Sequence, residues 1–245
     1  MTNILTVKNL TKTYHTKEAE TLAIKDISLN IKKGEIIGIV GSSGCGKSTL
    51  LNILAGLDKE TSGEIIKKDL KNAYMLQSDA LLPWLNVLDN ACLGLKLKNI
   101  KTEGNINYVK DLINSFGLSS FINAYPNNLS GGMRQRVALI RTLAIKPDII
   151  YLDEPLSALD YVTRLMITDE IYSILKKMKV TTILISHDIA ECVSFCDRIV
   201  VLSKRPAIIK NIYDIKLKNP SIPSINRKDE MFNYYYDLVW SDLDK

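Results

Sequence analysis

Histidine and cysteine are scarce in this 245-residue chain, with two and four copies. A structural zinc site needs four converging nitrogen or sulfur ligands. Cys192 and Cys196 sit one helical turn apart while Cys45 and Cys92 stand alone, so the spacing does not supply them. Reduced, structural cysteines are expected, as in a reducing compartment. No apolar run approaches the roughly 20 residues that span a bilayer. The N-terminal MTNILTVKNLTKTY lacks the cationic start and apolar stretch of a signal peptide, which predicts a protein on the cytoplasmic side. Internal repeats and low-complexity tracts are also absent. The charge excess is small: 32 Lys and Arg against 27 Asp and Glu, a net +5. That balance does not by itself imply nucleic acid. With 46% hydrophobic residues, global disorder is excluded, and the length suits one large domain or a domain with an insertion.

What is present alternates. Short apolar runs, Ile36–Val40 (IIGIV), Ile149–Leu152 (IIYL), Ile183–Ser186 (ILIS) and Ile199–Leu202 (IVVL), read as buried strands between segments of helical period, the pattern of a parallel α/β core. The first run enters Gly41, and a helix is predicted from Lys47 to a glycine C-cap at Gly56. The early β-branched segments ILTVKNL and ISLNIKKGE predict an antiparallel layer on one side. From about 78 to 145 the pattern is helical, an all-helical insert. After Arg205-Pro206 the composition turns to Lys, Asn, Ser and Pro and then to MFNYYYDLVW, which predicts a peripheral tail with a short terminal helix.

Gly41-Ser42-Ser43-Gly44-Cys45-Gly46-Lys47-Ser48 satisfies G-x4-G-K-[ST] between a buried strand and a helix start, the context this phosphate-binding motif requires. Glycines let successive backbone N–H groups turn inward onto phosphate oxygens, and the following helix presents its unpaired N–H groups to the same anion. Lys47 can reach the β- and γ-phosphates of a nucleotide, Ser48 can hold Mg²⁺, and Thr49 can donate to the α-phosphate. A bound nucleotide with Mg²⁺ is expected to shield Cys45 from alkylation.

Asp153 and Glu154 end the strand IIYL, and ligands of open α/β sheets bind beyond such ends. Asp153 is placed to bind Mg²⁺ and Glu154 to act as general base on a water. His187, after ILIS, lies on the same rim. It reads either as a satisfied polar residue or as a donor to the γ-phosphate. Gln77, in YMLQ, can reach Mg²⁺ or the water and opens the helical insert. A second glycine-rich turn, LSGGMRQR at 129–136, leads into another helix. Its Arg134 and Arg136, with Arg141 further along, read as solvated or locally paired.

In order, GSSGCGKST, Gln77, LSGGMRQR, IIYLDEP, SALD at 157–160 and His187 resemble the ATPase subunit of ABC (ATP-binding cassette) transporters, over about residues 4 to 205. The resemblance implies an α/β P-loop NTPase (RecA-like) core, residues 1–77 and 146–205, with an antiparallel β layer, an inserted α-helical subdomain (78–145) and a C-terminal tail (206–245). It implies ATP and Mg²⁺ as cofactors, with Tyr14 stacking on adenine. It also implies a head-to-tail dimer with a second copy of the chain, in which Ser130, Gly131 and Gly132 of one copy cap the ATP held by the other and Asp160 lies at the interface.

The stretch LLPWLNVLDNACLGL (81–95), the LSGGM form and LSKRPA (202–207) are similar to the nitrate/sulfonate/taurine importers, a group that also handles pyrimidine precursors. That likeness implies a polytopic membrane permease docking near Gln77 and Trp84, an extracytoplasmic substrate-binding protein acting indirectly, peripheral attachment to the cytoplasmic face of the membrane, and no nucleic-acid partner. Trp84 reads as a partner anchor or, alternatively, as packed within the insert. Two departures stand out. Gly63 to Gln77 is shorter than usual, and Met133 replaces a common glutamine. The competing reading is a soluble ABC-type ATPase acting on ribosomes or DNA, whose usual second cassette, long coiled coils or zinc modules are missing here. An exporter subunit is disfavoured by LLPW and SKRPA.

Overall fold

The computed structural model describes residues 2–15, 19–67, 69–156 and 159–244. Two long strands come first, β1 (Asn3–His15) and β2 (Glu20–Lys32). They pair antiparallel, with Val7 opposite Leu29 and Leu10 opposite Ile27. The register shifts near Asn9 and Asp26, both at positive φ, where Asn9 Nδ2 donates to Asp26 Oδ1 at 2.8 Å. Asn and Asp tolerate that backbone better than other side chains, so the bulge is built from suitable residues.

The chain then enters β3 (Ile36–Val40), a fully buried strand, followed by helix α1 (Lys47–Ala55). Gly56 closes that helix in the left-handed conformation at φ 81°, which an L side chain resists. Strand β4 (Ser62–Lys67) adds to β1, making a three-stranded antiparallel layer. Strand β5 (Asn72–Met75) belongs to the main sheet.

Helices α2 (Val87–Ala91), α3 (Leu93–Leu97), α4 (Glu103–Ser115) and α5 (Gly131–Leu143) form the helical segment. Their apolar faces meet around Val87, Val109, Phe116 and Ile140, all buried. Each such side chain taken out of water contributes about 1.5–3 kcal/mol. The chain returns through β6 (Ile149–Asp153), α6 (Tyr161–Met178), β7 (Thr181–Ile185), α7 (Ile189–Phe195) and β8 (Arg198–Leu202).

The main sheet has the order β5-β6-β7-β3-β8 plus one further edge strand, β9 (Ile209–Asp214). All pairs are parallel except β8–β9. One face packs on the helices, and the other packs with α1 against the antiparallel layer. Central strands buried on both faces read as continuous apolar runs, which is why the sequence exposes them so clearly.

The C-terminal region differs from the peripheral tail expected. Tyr213 pairs with Ile199 and Ile212 with Val200, so β9 is an integral antiparallel edge. Beyond it lie α8 (Pro223–Asn226) and α9 (Phe232–Asp244), and Val239 of α9 is 0% exposed. The run IIKNIY carried the strand signal, diluted by Lys and Asn on the open edge.

Candidate active site

Strand order assembles the site. β6, β7 and β3 are adjacent and parallel, with Leu152 opposite Leu184 and Gly38 also opposite Leu184. Their C-terminal ends therefore stop at one level. Glu154 leaves β6, His187 follows β7, and the loop 41–48 leaves β3. On the other side of β6, Met75 pairs with Leu152, which brings Gln77 level with Glu154.

These ends surround a cavity of about 550 Å³ lined by Ser43, Gly44, Gly46, Lys47, Ser48, Thr49, Glu154 and His187. The volume suits a nucleotide-sized ligand. Gly46 holds φ 125°, and a Cβ there would come within 3.1 Å of the Ala23 carbonyl. The first turn of α1 carries no acidic side chain of its own, which leaves its N-terminal N–H groups suited to an anion in the cavity. The Lys47 ammonium donates to the carbonyls of Gly41 (2.8 Å) and Ser42 (3.0 Å). The loop thus holds its own cation at the cradle.

Cys45 does not line the cavity with its thiol. Its side chain is 1% exposed, and its Sγ lies 2.7 Å from where a Gly41 Cβ would stand. The thiol is folded under the loop, so protein packing shields it before any nucleotide does. Ser42 is not among the cavity-lining residues; its carbonyl serves Lys47.

The two carboxylates diverge. Asp153 Oδ1 accepts from Ser48 Oγ at 3.4 Å, and Oδ2 accepts from Tyr74 Oη at 3.2 Å. Burial raises the Asp153 carboxyl above its ordinary value, against the lowering effect of those two hydrogen bonds. Burial, with the Asp153 charge beside it, likewise pushes the Tyr74 hydroxyl well up, so Tyr74 stays a donor. Glu154 turns the other way. Its Oε2 accepts from Gln77 Nε2 at 3.0 Å and lies 3.4 Å from His187 Nδ1. Glu154 holds φ 46°, a left-handed backbone that costs energy for a non-glycine residue and clusters at functional sites.

Tyr14, Ser130, Gly131, Gly132 and Asp160 lie apart from this cluster. Tyr14 is 38% exposed, donates to Asp58 Oδ2 at 2.8 Å, and has the Lys12 ammonium 4.7 Å from its ring centroid. Ser130 caps α5, its Oγ accepting from the Met133 N–H at 3.3 Å. A Cβ on Gly132 would lie 3.1 Å from both Ile167 and Thr163, so this turn abuts α6. Asp160 caps α6 by accepting from Thr163 N–H at 3.0 Å, and its carboxyl pKa is lowered first by the Thr163 side chain and then by that backbone bond. Ser157 and Ala158 of the SALD stretch lie outside the described residues.

Arg134 and Arg141 of the second glycine-rich segment are paired, but with residues distant in sequence. Arg134 Nε donates to Asp79 at 2.9 Å, and Arg141 donates to the carbonyls of Asp79 (2.7 Å) and Ala80 (2.8 Å). Gln135 Nε2 approaches the Gln77 carbonyl at 3.4 Å. Residues 77–80 are therefore strapped to α5. Sequence reasoning did not find this strap, nor Tyr74; only strand register brings Tyr74 to Asp153. Trp84 is 69% exposed, which removes the reading that it packs within the insert.

The family model described as ABC transporter matches residues 24–157. The chain is 38% identical to the uncharacterized ABC transporter ATP-binding protein YtlC of Bacillus subtilis, covering 98% of this chain and 96% of that one. It is 37% identical to the aliphatic sulfonates import ATP-binding protein SsuB of Bacillus cereus, covering 84% of each. It is also 42% identical to the spermidine/putrescine import ATP-binding protein PotA of Mesoplasma florum, over 82% of this chain and 59% of that one. Among solved structures it resembles the dimeric ATP-binding cassette MJ0796 bound to ADP and Pi after hydrolysis, with a TM-score of 0.75 and 34% identity, covering 86% of this chain and 99% of that one. With a P-loop NTPase core, a phosphate cradle at its sheet ends and these relatives, the chain belongs to the ABC transporter ATP-binding family and is an ATP-binding ATPase of the kind that serves import systems.

Proposed function

We propose that this ATPase works as a head-to-tail homodimer that energises uptake of a small solute, of the sulfonate, nitrate, taurine or pyrimidine type, through a separate membrane permease. The observation that carries the reading is the division of the site. Lys47, Glu154 and His187 line one cavity, while Ser130 caps a helix outside its lining. A second copy supplies the missing donors by the same helix-terminus physics as the first loop. The likeness to the sulfonate import protein SsuB supports the solute class. The exposed Trp84 supports a docked permease, which would place the chain on the cytoplasmic face of the membrane.

Within that dimer, loop N–H groups, Lys47 and Thr49 bind the phosphates. Glu154 accepts a proton from the attacking water, His187 donates to the γ-phosphate, and Gln77 orients the water. The donor set suits Mg²⁺, a hard cation: the Ser48 hydroxyl, the Asp153 carboxylate and the Gln77 amide oxygen are all oxygen ligands. Ser48 and Asp153 already sit 3.4 Å apart. Mg²⁺ held there would neutralise charge on the transferred group. Tyr14 would meet the adenine, with Lys12 on one face of its ring.

Mixing tests the dimer. Lys47→Ala chains and Ser130→Ala chains are each expected to be inactive alone. A mixture forms heterodimers holding one intact composite site, so partial ATPase activity should return. A mixture as inactive as its components would place both groups in one chain's site and overturn the arrangement. For the solute, a deletion strain should lose uptake of labelled taurine or nitrate. Affinity capture that recovers ribosomes instead of a polytopic permease would favour the soluble reading.

A further inference from the structure

Behind His187 lies a buried acid that the proposed chemistry does not use. Glu191, in the first turn of α7, is buried, and its Oε2 accepts a hydrogen bond from the Ser186 hydroxyl. The same hydroxyl accepts from the Asp188 N–H at 3.0 Å, and Asp188 Oδ1 accepts in turn from the Glu191 N–H at 3.1 Å. His187 is the residue between these two anchors. Its imidazole is exposed, so its position depends on the backbone that carries it. A crevice of about 10 Å³ is lined jointly by Glu154, His187, Ser186, Glu191 and Arg164.

A buried carboxylate is costly unless compensated. Burial raises the Glu191 carboxyl, whereas the Ser186 bond and the positive charges of Arg164 and Arg227 lower it. Arg227 comes from the C-terminal region. Its neighbour Asn226 donates to the Ser194 carbonyl of α7 at 2.7 Å, and the Ser224 N–H donates to Asp169 of α6 at 2.8 Å. This segment is thereby fastened to the helix that carries Glu191.

We propose that Ser186 and Glu191 are positioning residues that hold His187 toward Glu154. The inference rests on His187 contacting the γ-phosphate. Misplacing a catalytic group slightly can cost a large rate factor while leaving binding intact. The pair therefore acts on kcat through the imidazole.

The experiment compares Ser186→Ala, Ser186→Thr, Glu191→Gln and His187→Ala in the full chain, reading ATPase kcat and KM, ATP affinity and thermal unfolding. Ser186→Ala and Glu191→Gln should lower kcat by roughly tenfold or more with ATP affinity within about twofold. Ser186→Thr, which keeps the hydroxyl, should keep kcat near normal. The double variant Ser186→Ala/His187→Ala should lose no more than His187→Ala alone, since neighbouring residues acting through one group are not additive. Multiplying losses would make the Ser186 effect independent of His187 and overturn the proposal, as would a normal kcat in both Ser186→Ala and Glu191→Gln. If His187→Ala itself keeps normal kcat, the catalytic reading of His187 falls first and the positioning role falls with it. A variant that fails to fold is replaced by Ser186→Cys, which is expected to fold with reduced kcat; normal kcat there counts against the proposal.

Discussion

Glu154 Oε2 accepts from Gln77 Nε2 at 3.0 Å and stands 3.4 Å from His187 Nδ1. One carboxylate oxygen thus joins the end of β6 to the segment that opens the helical insert and to the loop after β7. Arg134, Gln135 and Arg141 in turn fasten residues 77–80 to α5, the helix that opens at the second glycine-rich turn.

Glu154→Gln removes the proton acceptor but keeps the shape and an oxygen for Gln77. ATP binding should persist while turnover falls by about 10²–10⁴-fold. Rapid-quench turnover with equilibrium ATP binding checks this. A normal turnover rate in this variant would remove Glu154 as the base.

Ser130→Ala should abolish most hydrolysis yet leave monomer affinity for ATP unchanged, since Ser130 is not in the cavity lining. Loss of the cap at α5 should also cost about 1 kcal/mol of stability. Calorimetric titration of the monomer tests the first statement and urea unfolding the second. Lost monomer binding would place Ser130 in the cis site.

Gly38→Ala would place a methyl group 2.8 Å from Cys196 Sγ and 3.2 Å from Cys192 Sγ. Overpacking of this kind costs about 1–3 kcal/mol. Adding Cys196→Ala should recover much of the loss, measured by urea midpoints. No recovery would mean that the strain lies in the backbone of β3.

Tyr213 ties β9 to α9 by donating to Asp242 Oδ2 at 2.6 Å, and burial with that bond raises its pKa to about 12. A raised folded-state pKa means stabilisation that is complete below the unfolded value of about 10 and lost as pH climbs through about 12. The stability gap between wild type and Tyr213→Phe should be constant from pH 7 to about 9.5 and narrow above it. A gap that does not change up to the most alkaline pH at which the protein stays folded would show that the hydroxyl does not act through this bond.

Trp84→Ala should leave ATPase activity of the isolated chain near normal, because the indole lies away from the cradle. Permease assembly should weaken by about 2 kcal/mol or more if Trp84 is a buried anchor there. Co-purification from detergent-solubilised membranes measures it, and undiminished recovery would move the docking surface elsewhere.

Several of these features were legible in the chain itself. Ile36–Val40 reads as a buried strand because both faces of β3 are covered, leaving no polar alternation to confuse it. Gly56 announces the end of α1 because only glycine takes its backbone at low cost. The C-terminal region was less readable. Its Lys and Asn residues sit on an open sheet edge, where polarity hides strand propensity, and its helix buries little beyond Phe232 and Val239.

The sequence by itself determined the local chemistry: a loop that curls around phosphate, a strand ending in two carboxylates, and serine and aspartate caps. Backbone conformation and side-chain type act over a few residues, so a short stretch suffices to specify them. Only the tertiary structure decided which of these meet. The order β5-β6-β7-β3 brings Gln77, Glu154, His187 and Lys47 to one rim. It also turns Cys45 under its loop, Tyr74 onto Asp153 and Glu191 behind His187. Those relations join residues dozens of positions apart through strand register and burial, which no local pattern encodes.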